Sequence, residues 1–245
     1  MTRDLKAVLF DIDDTLFSTS DFANHARRNA IRSMIQYGLR MDEEAAYREL
    51  QEVIAEFTSN YASHFDKLLN RLPQEKYYPD INPVMLIAAG VIGYHETKSI
   101  ELRPFPDVMP ALRRLAKTRL SLGIVSAGLQ AKQAEKLIRL GVYRFFRTDA
   151  IFISEQIGIG KPNPKLWLTA CTALDIAPTD VMYVGDNPVQ DIDPCNGLGM
   201  VTVRSRRGTR HKDANGKTAP AYEITTFDEL VAILARDFGV AIPDF

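Results

Sequence analysis

Residues 7–15 read AVLFDIDDT, four apolar residues running straight into three acids and a threonine. An apolar run of that length without polar alternation suits a strand buried on both faces, as in the parallel sheet of an α/β protein. Carboxylates at the end of such a strand are costly unless they reach the exposed tip, are paired, or hold a cation. Here Asp11, Asp13 and Asp14 crowd together, and like charges so close repel one another unless a cation sits among them. A hard dication with oxygen ligands resolves that conflict. A polar strand-to-loop turn, with Asp14 and Thr15 capping the next segment, accounts for the same residues without a metal.

Four further apolar runs stop in the same abrupt way. Residues 120–125 end at Ser126, 151–153 at Ser154-Glu155, 181–184 at Gly185-Asp186, and 200–203 at a basic loop. If all are parallel strands, their ends share the carboxyl edge of one sheet, where open α/β sheets bind ligands. Ser126-Ala127-Gly128 offers a hydroxyl and backbone N–H groups ahead of a helix, which suits a phosphate oxygen. Gly160-Lys161-Pro162 places an ammonium in a turn, where it can neutralise phosphate or carboxylate charge. The stretch from Gly185-Asp186-Asn187 to Asp191 adds two carboxylates beyond a strand. Singly, each has a plain alternative: a common Ser-Gly turn, a solvated lysine, a helix capped by Asp186 or Asn187. Their order and shared edge carry the weight.

Between the first strand and the second the pattern changes to helical. Phe22, Ala26, Ala30, Ile31, Met34 and Ile35 repeat at i, i+3, i+4 over residues 21–37. Asp42-Glu43-Glu44 suits a second helix start, residues 68–83, with their prolines, suit a connector, and 84–97 suit another helix. A parallel crossover needs only about a dozen residues, so the stretch is expected to be an inserted helical domain. Arg103-Pro104-Phe105-Pro106 marks the return to the sheet. Later helices are expected at 129–140, ended by Gly141, at 164–174, and from about Thr226 to Phe238. Residues 204–221 are basic and read as a solvated, mobile loop rather than a nucleic-acid patch, since no aromatic is interleaved before Tyr222.

The net charge of −1 points to no nucleic-acid or anionic-membrane partner. Cys171 and Cys195 are too few for a disulfide framework and lack zinc-ligand spacing. The N-terminal apolar run is too short for a secretion signal, and the longest apolar stretch, 84–92, falls short of the roughly 20 residues a bilayer demands. A cytoplasmic monomer or homodimer, with neither membrane nor nucleic acid as partner, is therefore expected. Helix 84–92 either packs inside the insert or forms a dimer face.

The chain resembles the haloacid dehalogenase (HAD) superfamily in four motifs taken in order. Asp11, Asp13 and Thr15 meet D-x-D-x-T after a strand, Ser126 meets the Ser or Thr after the next, Lys161 is the lysine ahead of a helix, and Gly185, Asp186 and Asp191 meet G-D-x-x-x-D or its variants. The likeness spans residue 7 to about residue 203. It implies a Rossmann-like α/β core with a parallel sheet, from residues 1–17 and 101–245, and a helical C1 cap over 18–100. In Ser59-Asn60, His64-Phe65-Asp66 and Tyr94-His95-Glu96-Thr97-Lys98 the cap looks similar to that of small archaeal-type Mg-dependent phosphatases.

The resemblance also implies roles. Asp11 would attack phosphorus and form an aspartyl-phosphate, and Asp13 would serve as general acid, then base. Mg²⁺ would be held by Asp11, Asp186 and the backbone carbonyl of Asp13. Ser126, Ala127 and Lys161 would bind the phosphoryl group. Asp191 would orient Lys161 or a metal-bound water, while Asp14 and Thr15 shape the turn. Asp193-Pro194-Cys195 departs from the small residues often found there, which bears on the local helix start alone. Dehalogenases of this fold do not need the second aspartate. Phosphonate-cleaving relatives use a cap lysine, a role for which this cap offers Lys67 and Lys98, and a solvated surface lysine explains either one better. A phosphomutase, or a non-catalytic binding protein on the same scaffold, is the remaining alternative. Asn60, His64, Asp66, Tyr94, His95 and Lys98 either line a pocket or pack the cap. A cap of this type implies a small phosphorylated metabolite; a triose or sugar phosphate comes first, a nucleotide second.

Overall fold

The computed structural model describes residues 3–243. Strands β1 (Ala7–Phe10), β2 (Ser121–Ser126), β3 (Ile151–Ile153), β4 (Val181–Gly185), β5 (Val201–Ser205) and β6 (Tyr222–Ile224) form a parallel sheet in the order β3-β2-β1-β4-β5-β6. The five apolar runs are β1 to β5, with β3 at one edge of the sheet, and all four residues of central β1 are inaccessible to solvent, as burial on both faces demands. Strand β6 has no such run. Its sequence, Tyr222-Glu223-Ile224, lies at the sheet edge and buries only its last residue, so no apolar stretch marks it. The chain falls into two compact units, Met1–Ser20 with Arg103–Phe245, and Asp21–Leu102.

The helical unit contains most of α1 (Thr19–Gln36) and all of α2 (Glu43–Phe57), α3 (His64–Asn70), α4 (Gln74–Tyr77) and α5 (Pro83–Glu101). Asp42 caps α2 by accepting from the Ala45 N–H at 3.0 Å. The expected connector is itself largely helical: α3 and α4 bring Leu68, Leu69, Leu72 and Tyr78 into a core with Ile31, Met34, Leu50 and Leu86. Tyr78 donates to the carbonyl of Leu69 at 3.0 Å, so the proline-rich stretch is pinned by a buried hydroxyl. Helix α5 packs on α1 through Asn29, whose amide donates to Thr97 at 3.0 Å, while Phe22 meets Tyr94 edge-on at 6.1 Å. The other side of α5 leaves Val84, Met85, Val91 and Ile92 exposed. Among the described residues no helix is long and apolar enough to cross a membrane.

Around the sheet lie α6 (Val108–Leu115), α7 (Gln130–Arg139), α8 (Ser154–Ile157), α9 (Lys165–Leu174), α10 (Asp193–Gly197) and α11 (Phe227–Phe238). Trp167 of α9 meets Tyr183 of β4 edge-on at 5.5 Å, and Phe227 of α11 stacks on Phe10 of β1 at 5.7 Å. The basic segment after β5 is tied down rather than left loose in solvent. Buried Arg204 donates to the carbonyls of His211 at 2.7 Å and Ala214 at 2.9 Å. Asp193 accepts from the backbone of Lys217 and Thr218, each at 2.8 Å. An arginine buried in a strand must find acceptors, and the segment curls back to supply them.

Close packing in β2 gives a test. A Cβ on Gly123 would lie 2.6 Å from the Ala150 carbonyl oxygen and 2.7 Å from Leu9 Cδ2. Gly123→Ala should lower the unfolding free energy by about 1–3 kcal/mol, the usual cost of overpacking. Urea unfolding followed by circular dichroism would measure it, and an unchanged midpoint would contradict so tight a contact.

Candidate active site

The parallel register decides where polar side chains emerge. Phe10 is level with Val184 of β4, and the Asp11 N–H extends the ladder to the Val184 carbonyl at 2.9 Å. Asp11 therefore leaves the sheet beside Gly185 and Asp186, with Ser126 at the tip of the neighbouring strand. Asp14 turns the chain just beyond. Its backbone is left-handed (φ 53°), and its carboxylate accepts from the Thr19 N–H at 2.9 Å, a local closure that offsets the strain.

Lys161 reaches this edge from the turn ahead of α9. Its ammonium is 2.8 Å from Asp11 Oδ1, 2.7 Å from Asp191 Oδ1 and 2.8 Å from the Tyr183 hydroxyl. An ammonium has three protons, and all three are used. The Tyr183 hydroxyl in turn donates to the Val125 carbonyl at 2.9 Å. Asp191 comes from a wide helical turn over Pro188–Ile192. There the Asn187 N–H donates to its Oδ2 at 3.1 Å, and a Cβ on Gly185 would lie 2.6 Å from that same oxygen. Glycine at 185 is thus needed for Asp191 to approach.

One oxygen each from Asp11, Asp186 and Asp191 lies within 4.8 Å of the others. Asp191 is well supplied with donors, from Lys161 and Asn187. Asp186 is not. Burial first, then the charges of Asp191, Asp11 and Asp14, lift its carboxyl to about 9 against the weaker pull of Lys161. Burial likewise raises Asp11 to about 6, with Lys161 pulling it down and Asp191 and Asp13 pushing it up. Burial opposes the Lys161 charge, but Asp11 and Asp191 outweigh it and hold the ammonium above its ordinary value. Asp11 and Asp191 already outnumber the one ammonium, and ionising Asp186 adds further buried negative charge. All-oxygen donors with surplus negative charge are the chemistry a hard dication takes, so these residues fit one.

Asp13 is held apart from that cluster. Its oxygens take Lys136 Nζ at 2.6 and 2.8 Å, Gln133 Nε2 at 3.0 Å and Thr19 Oγ1 at 2.7 Å. Burial would raise its carboxyl, but the Lys136 charge and hydrogen bonds from Lys136, Gln133 and Thr19 overcome that and lower it. Ser126 is buried and accepts from Gln133 at 3.0 Å, and the Ala127 carbonyl accepts from the same amide at 2.6 Å. The Thr15 hydroxyl is buried without a partner among the described residues. In the helical unit, His64 Nε2 lies 2.8 Å from the Thr58 carbonyl oxygen, and Tyr94 packs on Phe22 and His95.

Three residues here are not legible as site residues in the sequence: Tyr183, Gln133 and Lys136. Tyr183 sits inside an apolar run and looks like core. Gln133 leaves a signal, for it occupies the buried stripe of α7 where Leu137 follows one turn later. A glutamine at such a position must find partners.

The model of the haloacid dehalogenase-like hydrolase family matches residues 5–199. A glyceraldehyde 3-phosphate phosphatase of Methanopyrus kandleri is 47% identical over 244 residues, 95% of this chain and 100% of that protein. One of the same name from Methanocaldococcus jannaschii is 40% identical over 230 residues, 94% of this chain and 97% of that protein. Among solved structures, a HAD phosphatase from Thermococcus onnurineus superposes with a TM-score of 0.64 at 26% identity, covering 94% of this chain and 98% of that one.

Asp186 gives the metal-free protein a pH signature. Its carboxyl is raised to about 9 when folded against about 3.9 in an unfolded chain, so between those values the folded state holds more protons. The stability it contributes is complete below the lower value and is lost as pH rises through the upper one. In EDTA, the wild-type Tm should therefore fall more steeply between about pH 5 and about pH 9 than that of Asp186→Asn. Parallel curves would mean that Asp186 does not carry the repulsion.

Proposed function

The chain belongs to the haloacid dehalogenase-like hydrolases, and within that family we propose that it is a Mg²⁺-dependent phosphatase of small phosphate esters, working through an aspartyl-phosphate. The observation that carries this reading is the buried Lys161, bonded to Asp11 and Asp191, beside the Asp186 carboxylate, whose charge the surrounding protein opposes. Such a site is charged to take a metal ion and a phosphate together. Relatives named glyceraldehyde 3-phosphate phosphatase, covered almost end to end, make a triose phosphate the first substrate to try.

In the first step a carboxylate oxygen of Asp11 attacks phosphorus in line as the bond to the ester oxygen breaks, and Asp13 gives that oxygen a proton. Asp11 suits the attack: its carboxyl, raised only to about 6, is mostly ionised at neutral pH. In the second step Asp13, now a carboxylate, takes a proton from water, whose oxygen attacks the same phosphorus. Inorganic phosphate leaves and Asp11 is restored. Lys161, Ser126 and the backbone near Ala127 stabilise charge on the transferring group, the main demand of phosphoryl transfer. Asp191 and Tyr183 keep Lys161 aimed at Asp11. Asp11, Asp186 and the Asp13 carbonyl would hold Mg²⁺, which when bound offsets carboxylate charge and polarises the phosphoryl oxygens. A dehalogenase on this scaffold would leave Asp13 without a task.

Phosphate release should be followed from p-nitrophenyl phosphate and a panel of triose, sugar and nucleotide monophosphates. The expected result is turnover with Mg²⁺ and none in EDTA, with glyceraldehyde 3-phosphate preferred. Asp11→Asn should lose about four orders of magnitude or more in kcat, the scale seen when a covalent nucleophile is removed, with Tm little changed. Near wild-type turnover by that variant would remove Asp11 as nucleophile.

A further inference from the structure

Asp13 is needed twice in the proposed cycle, yet nothing in the D-x-D-x-T segment itself fixes where its carboxylate points. The donors come from elsewhere, and chiefly from α7. Lys136 and Gln133 lie three positions apart on that helix and so share one face. Lys136 directs two hydrogen bonds to Asp13, one to each oxygen. Gln133 Nε2 lies 3.0 Å from Asp13 Oδ2, 3.0 Å from Ser126 Oγ and 2.6 Å from the Ala127 carbonyl oxygen, so its two protons are shared among three acceptors. The amide therefore ties Asp13 to the tip of β2, where the phosphoryl group is to be bound. The pair is no loose surface contact: the side chains of Lys136 and Asp13 are 21% and 29% exposed, and Gln133 is buried at 2%. The Lys136 ammonium also lies 5.8 Å from the Phe17 ring centre, which further limits its freedom.

We propose that Lys136, braced by Gln133, is a positioning residue that aims the Asp13 carboxylate for its work on the leaving oxygen and on water. The inference rests on the acid–base role of Asp13 proposed above and goes beyond it. The two halves of the site are served by separate lysines. Lys161 is spent on Asp11 and Asp191 and Lys136 on Asp13, so neither can replace the other. Removing Lys136 would leave Asp13 with only Gln133 and Thr19. A carboxylate held by two neutral donors is less sharply oriented than one gripped by an ammonium across both oxygens, and a misplacement of about 1 Å costs about a hundredfold in rate.

The test is steady-state kinetics with Mg²⁺ on wild type, Lys136→Met, Lys136→Arg, Asp13→Asn and the Asp13→Asn/Lys136→Met double variant. Two substrates are used, p-nitrophenyl phosphate and glycerol 3-phosphate, whose alkoxide leaving group needs a proton far more. Lys136→Met should lower kcat by about 10- to 100-fold on glycerol 3-phosphate, and less on p-nitrophenyl phosphate, with KM within about twofold. Lys136→Arg should recover most of the loss. In the Asp13→Asn background the second substitution should add less than about twofold, since residues acting through one group are not additive. A Lys136→Met enzyme with wild-type kcat beside an impaired Asp13→Asn, or losses that multiply in the double variant, would overturn the inference while leaving Asp13 in place. Wild-type kcat in Asp13→Asn would instead remove the acid–base role, and the inference with it. Should Lys136→Met fail to fold, Lys136→Gln, which keeps a neutral donor, is read in the same way.

Discussion

The site depends on one buried cation. Lys161, almost inaccessible to solvent, spends its three protons on Asp11, Asp191 and Tyr183. An ammonium in such a place is tolerable only if every proton is accepted and its charge matched. Here it is overmatched: Asp11 and Asp191 already outnumber it, and ionising Asp186 adds to the excess. The imbalance is the useful part. A site that merely balanced its charges would gain nothing from a cation, whereas a cluster with surplus negative charge would lower its own repulsion by taking a dication.

That arrangement demands a particular backbone. Asp11, Ser126 and Asp186 converge because β2, β1 and β4 are parallel neighbours that end at the same edge. Antiparallel pairing would have sent the strand ends to opposite sides. The close approach of Asp191 to Gly185 and the wide turn over Pro188–Ile192 then bring the carboxylate that grips Lys161 back under the strand it has just left. Strand order, a missing Cβ and a widened helical turn together place one carboxylate oxygen.

What the sequence disclosed and what it hid have a common physical origin. Strands buried on both faces are written as unbroken apolar runs, so the tips carrying Asp11, Ser126 and Asp186 stood out. Of the two edge strands, β3 keeps an apolar run, whereas Tyr222–Ile224, half-exposed and interrupted by a glutamate, does not. The proline-rich stretch near residue 73 concealed α3 and α4 because short helices tolerate proline at their starts, and Pro73 directly precedes α4. The basic segment beyond β5 looked loose because its anchors, Arg204 and Asp193, bond to its backbone, and backbone partners leave no mark in residue types. Side chains that support the site were hidden by resemblance to core: Tyr183 continues an apolar strand, and only its hydroxyl differs from a core phenylalanine.

Asp11 and Asp13 stand two residues apart and live in opposite environments. Burial, with like charges nearby, raises the first; for the second burial is outweighed by Lys136, Gln133 and Thr19, and the carboxyl is lowered. Divergent settings for adjacent titratable groups are how one site assigns different tasks to the same side chain. In the proposed cycle, the lowered Asp13 would favour the carboxylate that the second step requires. The first step of that cycle would require the acid, and a phosphate arriving beside Asp13 would bring like charge that favours its protonation. Once the ester oxygen had departed with that proton, Lys136 would stabilise the carboxylate that remains. In that cycle the lysine would hold the direction of the Asp13 carboxyl through both steps, while the substrate would favour its protonated state for the first.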